Sequence, residues 1–587
     1  CIQNGLYKKN CVTANILPIG PNECEVPMDS AYPVCAEKVE FLQSRWQSDP
    51  CYAFYGVDGS TCSILTYLSQ IEDFCPPHLG RNHSDLVYQN TILGPAIDFI
   101  RSRVDRMSEQ WIQAGLRMGH NTPVVFWTLK CAVIQVLLYP GALAGTVGQR
   151  FEAMVERGGP LGELVQWADL SACLIILGHN ITFSTSHLIG AAPGRGSCPI
   201  QRPLTFDLIY TDYHGLAHLQ GAMGLAFQHY QCRFRILDSF GTEPAFNLGS
   251  YAHSHGYKTL WGRWGLQPLQ YMTMFPHTPD NSFLGFASEE AVRAEVREEE
   301  LEPEIHRKDR IKPWPADSGT LPTTSPQSQG QNCGHVFLSC LVDDGPSLRC
   351  CFPPPRQVFV GLGFPYEGPA PIEAIALGCI FLQPQFDPPH SSDNNDFYKG
   401  KPTTRQISSQ HPYAEEFIGK PHVWTVNMTN STDVREAVKA ILSTEPFTPR
   451  EFTCEGMLER VHGYITHQEF CSKSVPIWPP ESALRVHLGP LGQSCVSVCR
   501  HSSLVCEPAL FHHLNSPSAF TRLGLGCSSV GPEINHLFPA YNPWGRHCGL
   551  QQEPLLFSCA GSDPSHRRLC PCRAHLPGQV ALCPDCI

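Results

Sequence analysis

Four short stretches of the sequence carry residues whose type and spacing could do chemistry. In GGPLGELVQW, Gly158 and Gly159 permit a tight backbone, and Glu163 stands at the mouth of the following helix. A helix N-terminus favours a carboxylate and keeps it ionised, as a general base requires, although spacing alone also allows a simple helix cap. In GFPYEGPAPIEAIALGC a strand runs into a loop holding Glu367, and Pro371 opens a helix with Glu373 in its first turn. Such a helix start suits phosphates and sugars, with a carboxylate accepting from ribose hydroxyls; a capping carboxylate behind a proline-rich turn is the plainer reading. Lys401 in KGKPTTR could neutralise a diphosphate or simply stand exposed. In LDSFGTEP, Asp238 and Phe240 close a strand, where the ring could stack on a sugar face or belong to the core. The histidines form no H-E-x-x-H pair, and no Asp-x-Asp occurs to hold a divalent ion on a sugar nucleotide.

These residues need a scaffold of parallel strands and helices, and the sequence supplies one. The chain has 587 residues, 42 % hydrophobic and 16 % charged, which is globular material for several folding units. A net charge of −12 excludes the basic surface that nucleic acid demands. Residues 88–118 read as helical, with apolar positions three and four apart. From about residue 155, helix ELVQWADLSACLIILG alternates with strands NITFSTS, FDLIYTDY and RFRILDSF. The alternation resumes after residue 356 with strands RQVFVGLG, CIFLQP and VWTVNM and helices IEAIALG and DVREAVKAILS. Strands alternating with helices imply parallel sheets, whose ligands sit at the carboxyl ends of the strands. Between the blocks, residues 289–355 hold an acidic run (Glu298–Glu300), a Pro/Ser/Gln-rich stretch and one short apolar stretch, HVFLSCLV from His335.

The cysteines are unevenly spread: seven in residues 1–75, nine in 76–450 and twelve in the remainder. Two cross-linked modules flanking an enzyme body account for this, and an oxidising compartment explains both ends. The alternative for the tail is zinc, with Cys570 and Cys572 pairing with Cys583 and Cys586 as ligands. The sequons at Asn82, Asn180, Asn427 and Asn430 permit secretion without requiring it. The apolar run from Val124 carries Lys130 and Gln135, so it reads as buried strands or a core helix rather than a membrane span.

At these residues the chain resembles the alpha-1,6-mannosylglycoprotein 6-beta-N-acetylglucosaminyltransferases, the N-acetylglucosaminyltransferase V family. The resemblance rests on CVTANILPIGPNECEVPMDSAYPVC, SDPCYAFYGVDGSTCS, GGPLGELVQW, MFPHTPDNSFLGF, SQHPYAEEFIGKPHVWTV and EPLLFSCAG; DLIYTDYHGL and APGRGSC stand nearer the B form, also called IX. It implies an α/β fold of GT-B type, with two facing Rossmann-like domains between the cysteine-rich modules. It implies a type II Golgi enzyme, its membrane anchor upstream, which moves GlcNAc from UDP-GlcNAc to the 6-hydroxyl of a mannose. Transfer would invert the anomeric centre without a metal or other cofactor, on an N-glycan or O-mannosyl glycan acceptor. By motif, Glu163 would be the base, Asp238, Phe240 and Trp261 would line the acceptor pocket, and Glu367, Glu373 and Lys401 would serve the donor.

The expected divisions are a cysteine-rich module at 1–80, a variable helical segment at 81–155 and an acceptor domain at 156–288. An irregular segment at 289–355, a donor domain at 356–475 and a cysteine-rich module at 476–587 follow. Residues 76–155 and 289–355 are read as departures from the family pattern. A non-catalytic glycan-binding protein derived from such an enzyme is the competing reading, and a zinc protein the third.

Overall fold

The computed structural model describes residues 24–586 apart from 55–56, 77–85, 89–93, 122–132, 186–203, 290–357, 363–365, 441–446, 472–477 and single positions 71, 73, 160, 205 and 260. Asn82, the acidic run and the HVFLSCLV stretch lie outside the described residues. Strands β1 (Leu86–Tyr88), β2 (Gln135–Tyr139), β3 (Asn180–Phe183), β4 (Leu208–Thr211), β5 (Phe234–Asp238), β6 (Tyr271–Thr273) and β7 (Ser282–Phe283) form one sheet. Its order is β1-β3-β2-β4-β5-β6-β7, and every pairing is parallel. Alternate residues enter opposite cores: Val136, Leu138, Leu208 and Tyr210 join one cluster, while Leu137, Tyr139, Ile209 and Ile236 join the other. That two-sided burial is why these strands read as continuous apolar runs.

The sheet begins earlier than the sequence reading placed it. β2 lies at 135–139, inside the span assigned to a variable helical segment, and pairs with both β3 and β4 at the sheet's centre. The apolar run around it lacks the alternation that separates a strand from a core helix. Chain order reverses between β2 and β4, which makes their carboxyl ends a topological switch point.

A second, smaller sheet is built on the long strand β9 (Ile380–His390). β8 (Val358–Val360) and β11 (Val423–Val426) run parallel to it, and β10 (Ile407–Ser409) runs antiparallel beside its second half. The helix Cys454–His467 falls in the span read as the second unit but packs on the first: Met457, Val461 and Tyr464 share a core with Trp111 and Trp167. A Cys232–Cys471 disulfide secures this return.

The third sheet is mixed. It contains β12 (Arg485–Leu491), β13 (Val505–Cys506), β14 (Ser529–Glu533), β15 (Ala540–Asn542), β16 (His547–Gln551) and β17 (Arg567–Arg573). Bridges Cys495–Cys570, Cys499–Cys572, Cys506–Cys559, Cys527–Cys548 and Cys583–Cys586 tie it together. The four cysteines of the zinc reading are therefore all engaged in disulfides. At the other end, Cys24–Cys62 and Cys35–Cys75 staple helices Cys35–Arg45 and Thr61–Gln70 around a small core. Among the described residues no helix is long and apolar enough to cross a membrane.

Arg103, on the helix Pro95–Arg106, links the layers. It bonds both carboxylate oxygens of Asp169 (2.9 and 3.1 Å), Glu373 Oε1 (3.1 Å) and the Ala287 carbonyl (2.7 Å). Removing one member of a buried ion pair leaves an uncompensated charge, so Arg103→Met should cost about 3–5 kcal/mol in urea unfolding. Peptide mapping under non-reducing conditions should recover Cys495–Cys570 and Cys499–Cys572 as linked peptides and find Cys583 and Cys586 oxidised.

Candidate active site

The switch point is lined by carboxylates. Asp212 follows β4 and caps the helix Tyr213–Met223; its carboxylate accepts from the backbone N–H of Gly215 (2.7 Å) and of Ala142 (2.9 Å) in the loop after β2. The two loops touch so closely that a Cβ on Gly141 would lie 1.9 Å from Gly215 N. Glu163 enters from the first turn of the helix Leu161–Ile176, behind a Gly158 turn at φ +79°. At the end of β5, Asp238 is fully buried. Its carboxylate accepts from Phe240 N (2.9 Å), Thr242 N (2.7 Å) and Thr242 Oγ1 (2.6 Å), which folds the turn that presents Phe240. Gly241 completes that turn at φ +79°, where a Cβ would press on His277 at 2.9 Å.

The second sheet closes the cleft. Lys401 follows β9 and lays its ammonium over the Phe240 ring, 3.9 Å from the centroid. Pro369, just before the helix Ala370–Ala376, meets Gly162, whose added Cβ would lie 3.1 Å from Pro369 Cδ. Trp261 is half-buried against the core of the first unit. It packs on Tyr213 and His214, with ring centroids 5.4 and 5.3 Å away, and its backbone N–H donates to Thr259 Oγ1, which in turn donates to the Gly400 carbonyl.

Electrostatics sharpen the roles. Burial pushes the Glu163 carboxyl above its ordinary range; its own backbone N–H opposes this, the Asp212 charge adds to it and Lys401 lowers it. Asp212 is raised too, by burial, against its two backbone hydrogen bonds and the nearby His214 and His218. Burial lowers Lys401, while Asp238 and Glu163 hold its proton on. A carboxylate with raised proton affinity beside a retained cation can take a proton from an alcohol and meet an anionic leaving group.

This constellation stands in a recognisable sequence. A model of glycosyltransferase family 18 matches residues 51–311 and 354–572. The chain belongs to glycosyltransferase family 18. It is 44 % identical to human alpha-1,6-mannosylglycoprotein 6-beta-N-acetylglucosaminyltransferase B over 96 % of its length and 81 % of that protein's. To the human A form it is 42 % identical over 98 % of this chain and 82 % of that one. A Caenorhabditis elegans protein of the same enzyme name is 31 % identical over 95 % of this chain and 88 % of its own. The family match takes in residues 76–155, which corrects the expectation that they depart from the pattern. The interval left unmatched narrows to 312–353.

Within this family 18 chain, Glu163, Asp238, Phe240 and Lys401 converge on the cleft, Trp261 packs on Tyr213 and His214, and the other two carboxylates are each held by an arginine. Glu367, at φ +56°, accepts from Arg405 through both guanidinium ends (2.6 and 2.7 Å), meets His277 Nδ1 at 3.1 Å and accepts from Tyr398 Oη at 3.1 Å. Burial pushes its carboxyl up, but Arg405 and His277 prevail and hold it well below the usual range. Glu373 is engaged by Arg103 through one oxygen.

Sequence reasoning missed Asp212, Glu243 and Arg405. Asp212 ends the strand read in FDLIYTDY, and a lone acid at a strand end has no spacing signature. Because a base works deprotonated, the acid limb of kcat/KM should lie above the ordinary carboxylate range. Asp212→Asn should move that limb to lower pH and Lys401→Ala to higher pH, since they remove charges of opposite sign; pH–rate profiles read both shifts.

Proposed function

We infer that this chain is an N-acetylglucosaminyltransferase that joins GlcNAc through a beta-1,6 bond to an alpha-linked mannose of a glycoprotein glycan. The observation that carries the reading is Glu163. It sits in the switch-point cleft beside Lys401, in a chain matching enzymes named for that reaction along nearly its whole length. The donor we propose is UDP-GlcNAc, the fold type GT-B and the compartment the Golgi lumen; the disulfides at both ends accord with an oxidising compartment.

The proposed step is a single displacement. Glu163 takes the proton of the mannose 6-hydroxyl as that oxygen bonds the anomeric carbon, and the bond to the UDP oxygen breaks on the opposite face, inverting the centre. An alcohol is a poor nucleophile until a base relieves it of its proton. Holding it in line with the anomeric carbon removes most of the bimolecular entropy cost. The anomeric carbon passes through an oxocarbenium-like state, as in glycoside hydrolysis. Phe240 and Trp261 offer faces to the acceptor sugar, and Asp238 shapes the turn that presents Phe240. Lys401 meets the departing diphosphate, with Glu367 and Glu373 on the donor side of the cleft.

The absence of an Asp-x-Asp pair from the sequence supports a metal-independent reaction. The alternative, a glycan-binding protein without turnover, is not favoured by a cleft that retains both a base and a cation. Turnover with UDP-GlcNAc is to be measured on a biantennary N-glycan and on a GlcNAc-capped O-mannosyl glycan. Product should form on at least one; acceptor binding without UDP release would return the chain to the binding class. Glu163→Gln should bind acceptor normally and lose about 10²–10⁴-fold in kcat. Activity should survive EDTA, and restoration of a chelated, inactive sample by manganese would contradict the metal-free reading.

A further inference from the structure

Lys401 has no rigid element of its own. It stands in the turn between β9 and β10, and its backbone N–H donates only to the Tyr398 carbonyl within that turn (3.0 Å). The residues around it are bonded to the first sheet's loops instead. Thr259 Oγ1 donates to the Gly400 carbonyl (2.9 Å). Glu243, five residues beyond Asp238, takes the other side. Its backbone N–H donates to the Pro402 carbonyl (2.9 Å), its Oε1 accepts from Thr403 Oγ1 and Thr404 N (2.7 Å each), and its Oε2 accepts from Thr404 Oγ1 (2.8 Å). Glu243 is 7 % exposed. A carboxylate this buried is costly unless its lone pairs are filled, and here one loop, some 160 residues downstream, fills them.

We propose that Glu243 is a positioning residue, an anchor on the acceptor-side unit that holds the 402–404 turn and thereby sets Lys401 over Phe240 beside Glu163. The proposal rests on reading Lys401 as the cation that meets the donor's diphosphate. The same strand end then serves both substrates: Asp238 folds the turn that presents Phe240, and Glu243 fixes the loop that presents Lys401. Glutamine can reproduce the geometry, because its amide oxygen accepts from Thr403 and Thr404 N while its NH₂ donates to the Thr404 hydroxyl. Alanine cannot.

The test is calorimetry with UDP alone and donor kinetics on the full chain, for Glu243→Ala, Glu243→Gln, Lys401→Ala and the double variant Glu243→Ala/Lys401→Ala. Glu243→Ala should weaken UDP binding and raise the donor KM about tenfold, the size of one charge-assisted hydrogen bond. Glu243→Gln should restore both to within about threefold of wild type. In the Lys401→Ala background, Glu243→Ala should add no further loss, because its effect runs through the lysine. If Glu243→Ala does not fold, Thr404→Val removes one bond of the clamp and should move UDP affinity in the same direction and be silent in the Lys401→Ala background. Normal UDP binding by Glu243→Ala, or a loss that persists undiminished in the double variant, overturns the proposal while leaving the Lys401 reading intact. Normal UDP binding by Lys401→Ala overturns that reading and the proposal with it.

Discussion

Arg103 donates to Asp169 on the helix that carries Glu163, to Glu373 on the helix beside the small sheet, and to the carbonyl of Ala287, so one buried cation fixes the Glu163 helix relative to the small sheet. Desolvating three ionised groups is expensive, and only good geometry offsets it. A guanidinium supplies that geometry: its planar fork bonds Asp169 at two points and still has donors for Glu373 and a carbonyl. A lysine ammonium could not reach all three. Burial pushes the carboxyls of both Asp169 and Glu373 upward, and Arg103 opposes it in each. The consequence is felt where the units touch, because Gly162 can meet Pro369 at contact distance only while these two helices keep their spacing.

With the walls fixed, the cleft has an excess of negative charge: Asp238 and Glu163 act on the ammonium of Lys401, and Asp212 acts on Glu163. Each cation and anion there changes its neighbour's proton affinity, and a low-dielectric cleft enlarges the effect. Asp212 raises the affinity of Glu163 for a proton and Lys401 lowers it. An anion against Lys401 would offset the charge that restrains Glu163 and raise the proton affinity of that carboxylate.

The strands of the large sheet were legible because burial on both faces leaves continuous apolar runs, and FDLIYTDY and RFRILDSF fall on β4 and β5. β2 was not, since its apolar neighbourhood is equally suited to a core helix. Glu163, Phe240 and Lys401 could be named from motifs because each stands next to glycine or proline. Glu243 carries a similar mark, standing before Pro244, but its role could not be read because its partners, Thr403 and Thr404, are remote in sequence. Arg103 did leave a trace. In IDFIRSRVDRM the buried positions are Ile97, Ile100, Arg103, Val104 and Met107, so the helical period puts a charge on the apolar face, and such a residue must have partners. Cysteine pairing could not be read, because spacing does not specify it.

The cross-linked tail reaches the cleft through a continuous set of bonds. The Cys506–Cys559 bridge holds Cys559, whose N–H donates to Asp280 (2.6 Å), and Ser558 Oγ donates to the same carboxylate (2.8 Å). Arg568 grips the carbonyls of Ser558 and Gly561, keeping that segment in place. Burial raises the Asp280 carboxyl to about 6, and the bonds from Cys559 and Ser558 work against that rise. Asp280 closes the loop MFPHTPDN, in which His277 packs beneath Gly241 and contacts Glu367. Glu367 holds Arg405, which ends the turn anchored by Glu243 and carrying Lys401. The bridged tail is therefore linked, contact by contact, to the loop that carries Lys401. A tail that was folded but unbridged would leave Asp280 buried with less secure donors, and the first loop to shift would be the one supporting both Phe240 and Glu367.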